Sequence, residues 1–220
     1  MNAGVLGTGQ VGAAIATALT QKGINVRMGS RTPDSEGAAA WVKGANNHAT
    51  QGDFEDAAAF GDVVFLCLNG AAALDVVKRI DPTNVAGKVV IDVTNPLDFS
   101  RGMPPRMLEG YGNSYSLSEA IQDAWPGAFV VKALNTMNYK LMVDPRSVAN
   151  GDHNLFLCGN SPEARNTASH FFVDHMNWKA GSIIDLGSLQ SARALEAIVP
   201  FWVLVYQSLG TPLFNFKVVQ

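Results

Sequence analysis

Short aliphatic runs punctuate the chain at residues 3–6, 25–28, 63–68, 89–93, 129–133, 155–158 and, less regularly, 182–185. Several are apolar at every position instead of alternating, which is the pattern of parallel strands covered by helices on both faces. Between them, apolar residues at helical spacing predict helices over 11–22, 35–43, 71–80, 117–124, 162–176 and 189–209. Ser161, Pro162 and Glu163 form a helix start, with a capping hydroxyl, a proline in the first turn and an acid at the positive end of the dipole. Strand and helix in alternation, joined by short links, specify an α/β fold built on a doubly wound parallel sheet.

The regular alternation stops near residue 140. We therefore expect a first domain over 1–140 and a small C-terminal α+β extension over 141–220 that ends in a long apolar helix. Pro200 interrupts that helix, where a missing N–H would kink it. Phe201, Trp202, Val205 and Tyr206 give it two readings, a buried core helix or the interface of a homodimer. The irregular stretch over 96–116, with Pro104, Pro105 and three glycines, is long enough to be functional or mobile.

Composition narrows the choices. Of 220 residues, 47% are hydrophobic and 16% charged, enough for a sizeable core, and the net charge is −3. No basic stripe is present to meet phosphates, so a nucleic-acid partner is not expected. The longest apolar run near the C-terminus, 198–206, is well short of the ~20 residues of a membrane span, so no membrane association is expected either. Cys67 and Cys158 lie inside hydrophobic stretches and suggest neither a disulfide framework nor a metal site. The chain enters a strand at once, without an evident signal peptide, and a reduced, cytoplasmic protein is the expectation.

The strongest chemical signal is Gly7-Thr8-Gly9-Gln10-Val11-Gly12, between the first strand and the first helix. In a loop of this pattern, the first glycine allows the tight turn. The second lets the backbone approach a pyrophosphate, and the third lets helix and strand pack closely. The free N–H groups at the helix start then attract the phosphates. Together with the flanking strands and helix, the loop predicts a Rossmann-type dinucleotide site. The second strand ends in Ser30-Arg31-Thr32, with no acid until Asp34. A carboxylate that would bind ribose hydroxyls is missing, and a guanidinium able to pair with a 2′-phosphate stands there instead, so the expected cofactor is NADP(H).

Other strand ends point to the same crevice, since ligands lie beyond the carboxyl ends of parallel strands. Leu68-Asn69-Gly70 should permit close approach to the cofactor, Asn95 and Pro96 should lie beside the nicotinamide, and Lys132 and Asn135 should line the hydride-transfer crevice. Each asparagine has a second reading as a loop or helix cap, and Lys132 has one as a solvated or ion-paired lysine. His48, His153, His170 and His175 do not fall at the carboxyl end of a central strand, so no catalytic residue is assigned. Hydride transfer between planar rings needs positioning and dryness more than a protein acid or base.

At these motifs the chain resembles the NADPH-dependent coenzyme F-420 reductase family, whose first domain is shared with pyrroline-5-carboxylate reductase. The resemblance rests on the glycine loop, on Gly29-Ser30-Arg31 and on the segments 90–96, 131–136, 156–160, 185–189 and 192–196. It implies an NADP-binding Rossmann domain, a small C-terminal part, a homodimer, and NADPH held by the loop and by Ser30, Arg31 and Thr32. The Lys132-to-Thr136 segment is similar to the branch that includes the cytosolic domains of six-transmembrane metalloreductases. The second substrate implied is a small-molecule redox acceptor, either coenzyme F-420 or a flavin such as FMN or FAD. Two other functions compete: an NADPH-binding redox sensor without turnover, and an imine or hydroxyacid reductase. The latter usually appends a long all-helical domain, whereas the last eighty or so residues here carry strand signals.

Overall fold

A computed structural model describes residues 1–220. Five parallel strands form the first half of the sheet: β1 (Asn2–Leu6), β2 (Asn25–Ser30), β3 (Ala49–Asp53), β4 (Val63–Leu66) and β5 (Val89–Asp92). A small antiparallel hairpin, β6 (Leu97–Asp98) with β7 (Arg106–Met107), lies within the stretch expected to be irregular. The sheet resumes with β8 (Phe129–Ala133), β9 (Leu155–Gly159) and β10 (Ile183–Asp185). Its spatial order is β3-β2-β1-β4-β5-β8-β9-β10, parallel throughout except where β9 runs against β8. The α/β doubly wound class is thus as the hydrophobic pattern indicated. Residue 140 falls inside the short helix Tyr139–Val143 that follows β8, and the residues beyond it extend the same sheet by two strands.

The connecting helices are α1 (Gln10–Gln21), α2 (Glu36–Gly44), α3 (Phe54–Phe60), α4 (Gly70–Val77), α5 (Leu117–Ala124), α6 (Tyr139–Val143), α7 (Pro162–Met176), α8 (Ala192–Ala197) and α9 (Val199–Leu209). Strand residues alternate between two cores. Val5, Phe65, Ile91 and Val131 pack with residues of α1 and α7, whereas Leu66, Val90 and Val130 pack with residues of α4, α5 and α8. Side chains on both faces are apolar because both are covered.

Several elements depart from the sequence expectation, among them β3, α3 and the C-terminal helix. β3 is an edge strand of sequence ATQGD, without the β-branched run that would have announced it. It runs directly into α3, whose start is a capping box. The Asp53 side chain accepts from Asp56 N–H at 2.8 Å, and Asp56 accepts from Asp53 N–H at 3.1 Å. The helix expected over 189–209 is divided: a 3-10 turn precedes α8, and α9 restarts at Ile198. Pro200 sits in the first turn of α9, where its missing N–H costs no hydrogen bond, so it opens a helix instead of kinking one. No helix is long and apolar enough to cross a membrane.

The candidate dinucleotide site

The loop between β1 and α1 gives its three glycines different reasons to be glycine. Gly7 has φ +126°, and a Cβ there would lie 2.3 Å from the Cys67 carbonyl oxygen. At Gly12 a Cβ would lie 2.0 Å from the Gly7 carbonyl oxygen, so that position is closed by helix–strand packing. Gly9 is the opposite case: a Cβ would meet nothing within 4 Å. It is also the N-cap of α1, and no side chain caps that end. The helix's first N–H groups therefore have no side-chain partner. Thr8 and Gln10 are exposed on the loop, and Val11 is half-buried against the core. An open approach at Gly9 beside uncapped amides suits a diphosphate.

A cavity of about 530 Å³ opens beyond the ends of β2 and β3. Arg31 and Arg79, the latter just past α4, line it together with the acids Asp53, Glu55 and Asp75 and the apolar Ala72 and Val76. Neither guanidinium is in an ion pair. The buried Ser30 hydroxyl donates to the Thr32 carbonyl at 2.5 Å, so Ser30 shapes the turn that presents Arg31 and the exposed Thr32. Sequence reasoning missed Arg79, because its place at the cavity depends on how α4 packs beside the sheet.

Toward the middle of the sheet the loops lock onto one another. Asn69 caps α4, its Oδ1 accepting from Ala71 N–H at 2.9 Å, and Leu68 is half-buried against the core. A Cβ on Gly70 would lie 1.9 Å from the Asn95 carbonyl oxygen. The small residue expected to admit a cofactor at 70 thus makes room for the neighbouring loop. Pro96 is buried beside it. Asn95 Nδ2 donates to the Asn135 carbonyl at 3.0 Å, and Asn135 Nδ2 donates to Asn95 Oδ1 at 2.8 Å and to the Leu195 carbonyl at 2.7 Å. The two asparagines therefore stand together at the ends of β5 and β8, tied to α8.

Lys132 requires a correction. It was expected along the crevice, but its side chain is wholly buried between Asp92 and Glu196. Nζ lies 3.0 Å from both Asp92 Oδ2 and Glu196 Oε1 and donates to the Thr94 carbonyl at 2.5 Å. Burial alone would depress its pKa, but Asp92 and Glu196 hold it above the ordinary lysine value. An ammonium so enclosed and so held is a structural charge and not a proton donor to a ligand. Glu196 also accepts from Leu117 N–H at 2.9 Å and Ser118 N–H at 3.2 Å, at the start of α5. No signal near Glu196 in the sequence pointed to Lys132.

His153 is buried between the Pro145 carbonyl and Asn215, and His175 stacks edge-on against Phe171. Burial pushes both thiols up, Cys158 to about 12. No group of three or more His, Cys, Asp or Glu side chains converges as a metal site requires.

An open glycine loop, a cavity at the end of β2 lined by two arginines and three acids, and paired asparagines at the ends of β5 and β8 lie along one edge of the sheet. Together they define a dinucleotide-binding protein of the Rossmann class. Residues 2–96 match the family of coenzyme F420-dependent NADP oxidoreductases. The chain is 38% identical to a proposed F420-dependent NADP-reductase from Arthrobacter sp. FB24, with 100% of this chain and 99% of that one covered and a TM-score of 0.92. Metalloreductase STEAP3 of Rattus norvegicus is 29% identical over 205 residues, 90% of this chain. The chain spans only 37% of that relative and 41% of human Metalloreductase STEAP2. A reductive aminase from Aspergillus terreus, solved with NADPH and ethyl-5-oxohexanoate, shares the fold at 17% identity, with a TM-score of 0.66 over 95% of this chain and 62% of that one. The chain belongs to the F420-dependent NADP oxidoreductase family. It is accordingly an NADP-dependent oxidoreductase whose acceptor is unspecified.

Proposed function

We propose that this chain transfers hydride between NADP(H) and a small planar acceptor, a deazaflavin such as coenzyme F-420 or a flavin such as FMN or FAD. The observation that carries the reading is the open approach at Gly9, beside uncapped α1 amides and within one edge of the sheet from Arg31. NADPH, when bound, supplies the hydride and leaves as NADP+, while a reduced flavin-type acceptor completes its charge balance with a proton from solvent. The chain's own residues bind and orient: the α1 amides seat the diphosphate, and Arg31 meets the 2′-phosphate. With Lys132 enclosed and the histidines elsewhere, no side chain is required to move a proton. The test is steady-state NADPH oxidation with FMN, FAD and coenzyme F-420 in turn. Turnover with one of them supports the reading; tight NADPH binding with no turnover across a wide acceptor panel favours the sensor.

Arg31→Asp replaces a charge-assisted donor by a repelling carboxylate. It should weaken NADPH binding by about tenfold to a hundredfold and move preference toward NADH. Titration of both nucleotides by fluorescence measures the ratio, and an unchanged ratio removes Arg31 from the role.

We also propose a homodimer formed through α9, which leaves Phe201 54%, Leu204 49% and Leu209 57% exposed. Leu204→Glu should convert it to a monomer by light scattering; a wild-type chain that is already monomeric argues against the interface. The free cysteines Cys67 and Cys158 support a reducing compartment such as the cytoplasm.

A further inference from the structure

We propose that residues 211–220 form a pH-sensitive strap, closed over α9 while His153 is neutral and released when its ring takes up a proton. The inference goes beyond the hydride-transfer reading and holds whatever the glycine loop binds.

The strap is built from alternate residues. Phe214 stacks on Trp202 with ring centroids 5.0 Å apart, and Phe216 stacks on Phe201 at 5.9 Å. Asn215, between them, turns the other way and reaches His153. The backbone is tied to the same place. The Phe216 carbonyl accepts from Asn154 N–H at 2.9 Å, and Val218 N–H donates to Asn154 Oδ1 at 2.6 Å. Lys217 adds an exposed ion pair with Asp152 at 2.6 Å. All of these anchors converge on residues 152–154, just before β9.

In this anchor His153 must be neutral. It is 3% exposed, and two carbonyls set its state. The Pro145 carbonyl, 2.8 Å from Nε2, requires a proton there. The Asn154 carbonyl, 2.9 Å from Asn215 Nδ2, requires an N–H on that side, since the reversed amide would set oxygen against oxygen. The same Nδ2 stands 2.8 Å from His153 Nδ1, which must therefore accept. A second proton, on Nδ1, sets donor against donor. Turning the Asn215 amide to relieve that breaks its bond to Asn154. Trp178 packs edge-on against the ring, centroids 5.3 Å apart, and limits how far the ring can move away.

The charged groups on the segments around the ring are Asp152 on its own, Asp144 and Arg146 flanking Pro145, Lys179 beside Trp178, and Lys217 on the tail. All five are exposed and none bonds to the ring, so water screens them and the buried contacts decide. Lys217 holds the Asp152 carboxyl below its ordinary range, so that pair stays charged in mild acid. Imidazole is the anchor side chain that ordinarily changes charge between about pH 5 and 8.

Release reaches the other end of the strap. Its root, Thr211 to Leu213, lines a cavity of about 460 Å³ together with Gln10, Trp202 and Tyr206. Gln10 directly follows Gly9, so the strap walls a space beside the glycine loop. Mild acid should open that wall and uncover the aromatic face of α9.

The test is hydrogen exchange of the intact protein at about pH 7.5 and about pH 5.5, read as protection factors that divide out the intrinsic pH dependence. In the wild type, protection of the Asn154 and Val218 amides should fall by about tenfold on acidification. Protection of the central strands β4 and β5 should stay unchanged. His153→Gln should remove the fall, and Asn215→Asp should reverse it, because a carboxylate accepts from the protonated ring. Three outcomes overturn the proposal: equal protection at both pH values in the wild type, equal losses in strap and central strands, or a folded His153→Gln that keeps the fall. Should His153→Gln fail to fold, Asn215→Asp decides, and a fall as large as the wild type's overturns the proposal as well.

Discussion

Gly9→Val should abolish measurable binding of NADP(H) while leaving the fold intact. The two halves of that expectation come from the same observation. A Cβ at Gly9 would meet nothing within 4 Å, so a larger side chain displaces no part of the protein. The space it fills is the approach to the uncapped start of α1, where a diphosphate must come close enough for the backbone amides to reach it. Branched carbons there hold the phosphates away from the amides and remove their solvation without replacing it. The loss should be at least about a hundredfold, or ~3 kcal/mol. Calorimetry with NADP+ gives the first half and a thermal melt superimposable on wild type the second. Retained affinity would mean that the loop is a turn and not a phosphate cradle. The same substitution at Gly12 tests nothing about ligands, because its Cβ would lie 2.0 Å from the Gly7 carbonyl oxygen and the loop itself would have to part.

That contrast also shows which parts of the molecule were legible in the sequence. The glycine spacing reported a local backbone requirement, and local requirements are written in consecutive residues. Helix starts such as Ser161, whose hydroxyl accepts from Ala164 N–H at 3.1 Å, were readable for the same reason. The missed capping box at Asp53 and Asp56 is local too, but the polar edge strand before it gave no hydrophobic period to attach it to. What could not be read is what tertiary packing assembles. Arg79 meets the Arg31 cavity only because α4 packs beside the end of β2. Gly70 reads as a ligand-facing glycine in isolation, and only the position of Asn95 reveals a loop–loop contact. The purpose of Lys132 depends on Glu196, which arrives from α8, far along the chain.

Lys132→Met should be the most destabilising single change in the buried charge cluster, by about 3–5 kcal/mol, or roughly 6–20 °C in melting temperature. Methionine fills nearly the same volume, so the effect is electrostatic and not a cavity. Asp92, Lys132 and Glu196 all have side chains with no exposure, and the ammonium stands 3.0 Å from a carboxylate oxygen of each acid. Removing it strands two carboxylates out of water. Asp92 keeps the Thr94 N–H and hydroxyl at 2.9 and 2.6 Å, and Glu196 keeps the α5 amides, but neither keeps a cation. Those hydrogen bonds offset part of the cost and explain how one ammonium suffices for two acids in the wild type. The pH dependence carries the diagnosis. Lys132 has its folded pKa raised, so its stabilisation is fully present below the ordinary lysine value and is lost only as pH rises above that through the raised one. The wild type should accordingly show no change from this group across neutral pH. Urea midpoints at neutral pH measure the deficit of the variant; one under about 1 kcal/mol would mean that the cluster is dispensable to the fold. The triple variant Asp92→Asn, Lys132→Met, Glu196→Gln should recover much of the loss, because it removes the unpaired charges along with the cation, leaving hydrogen-bonding amides where the acids were.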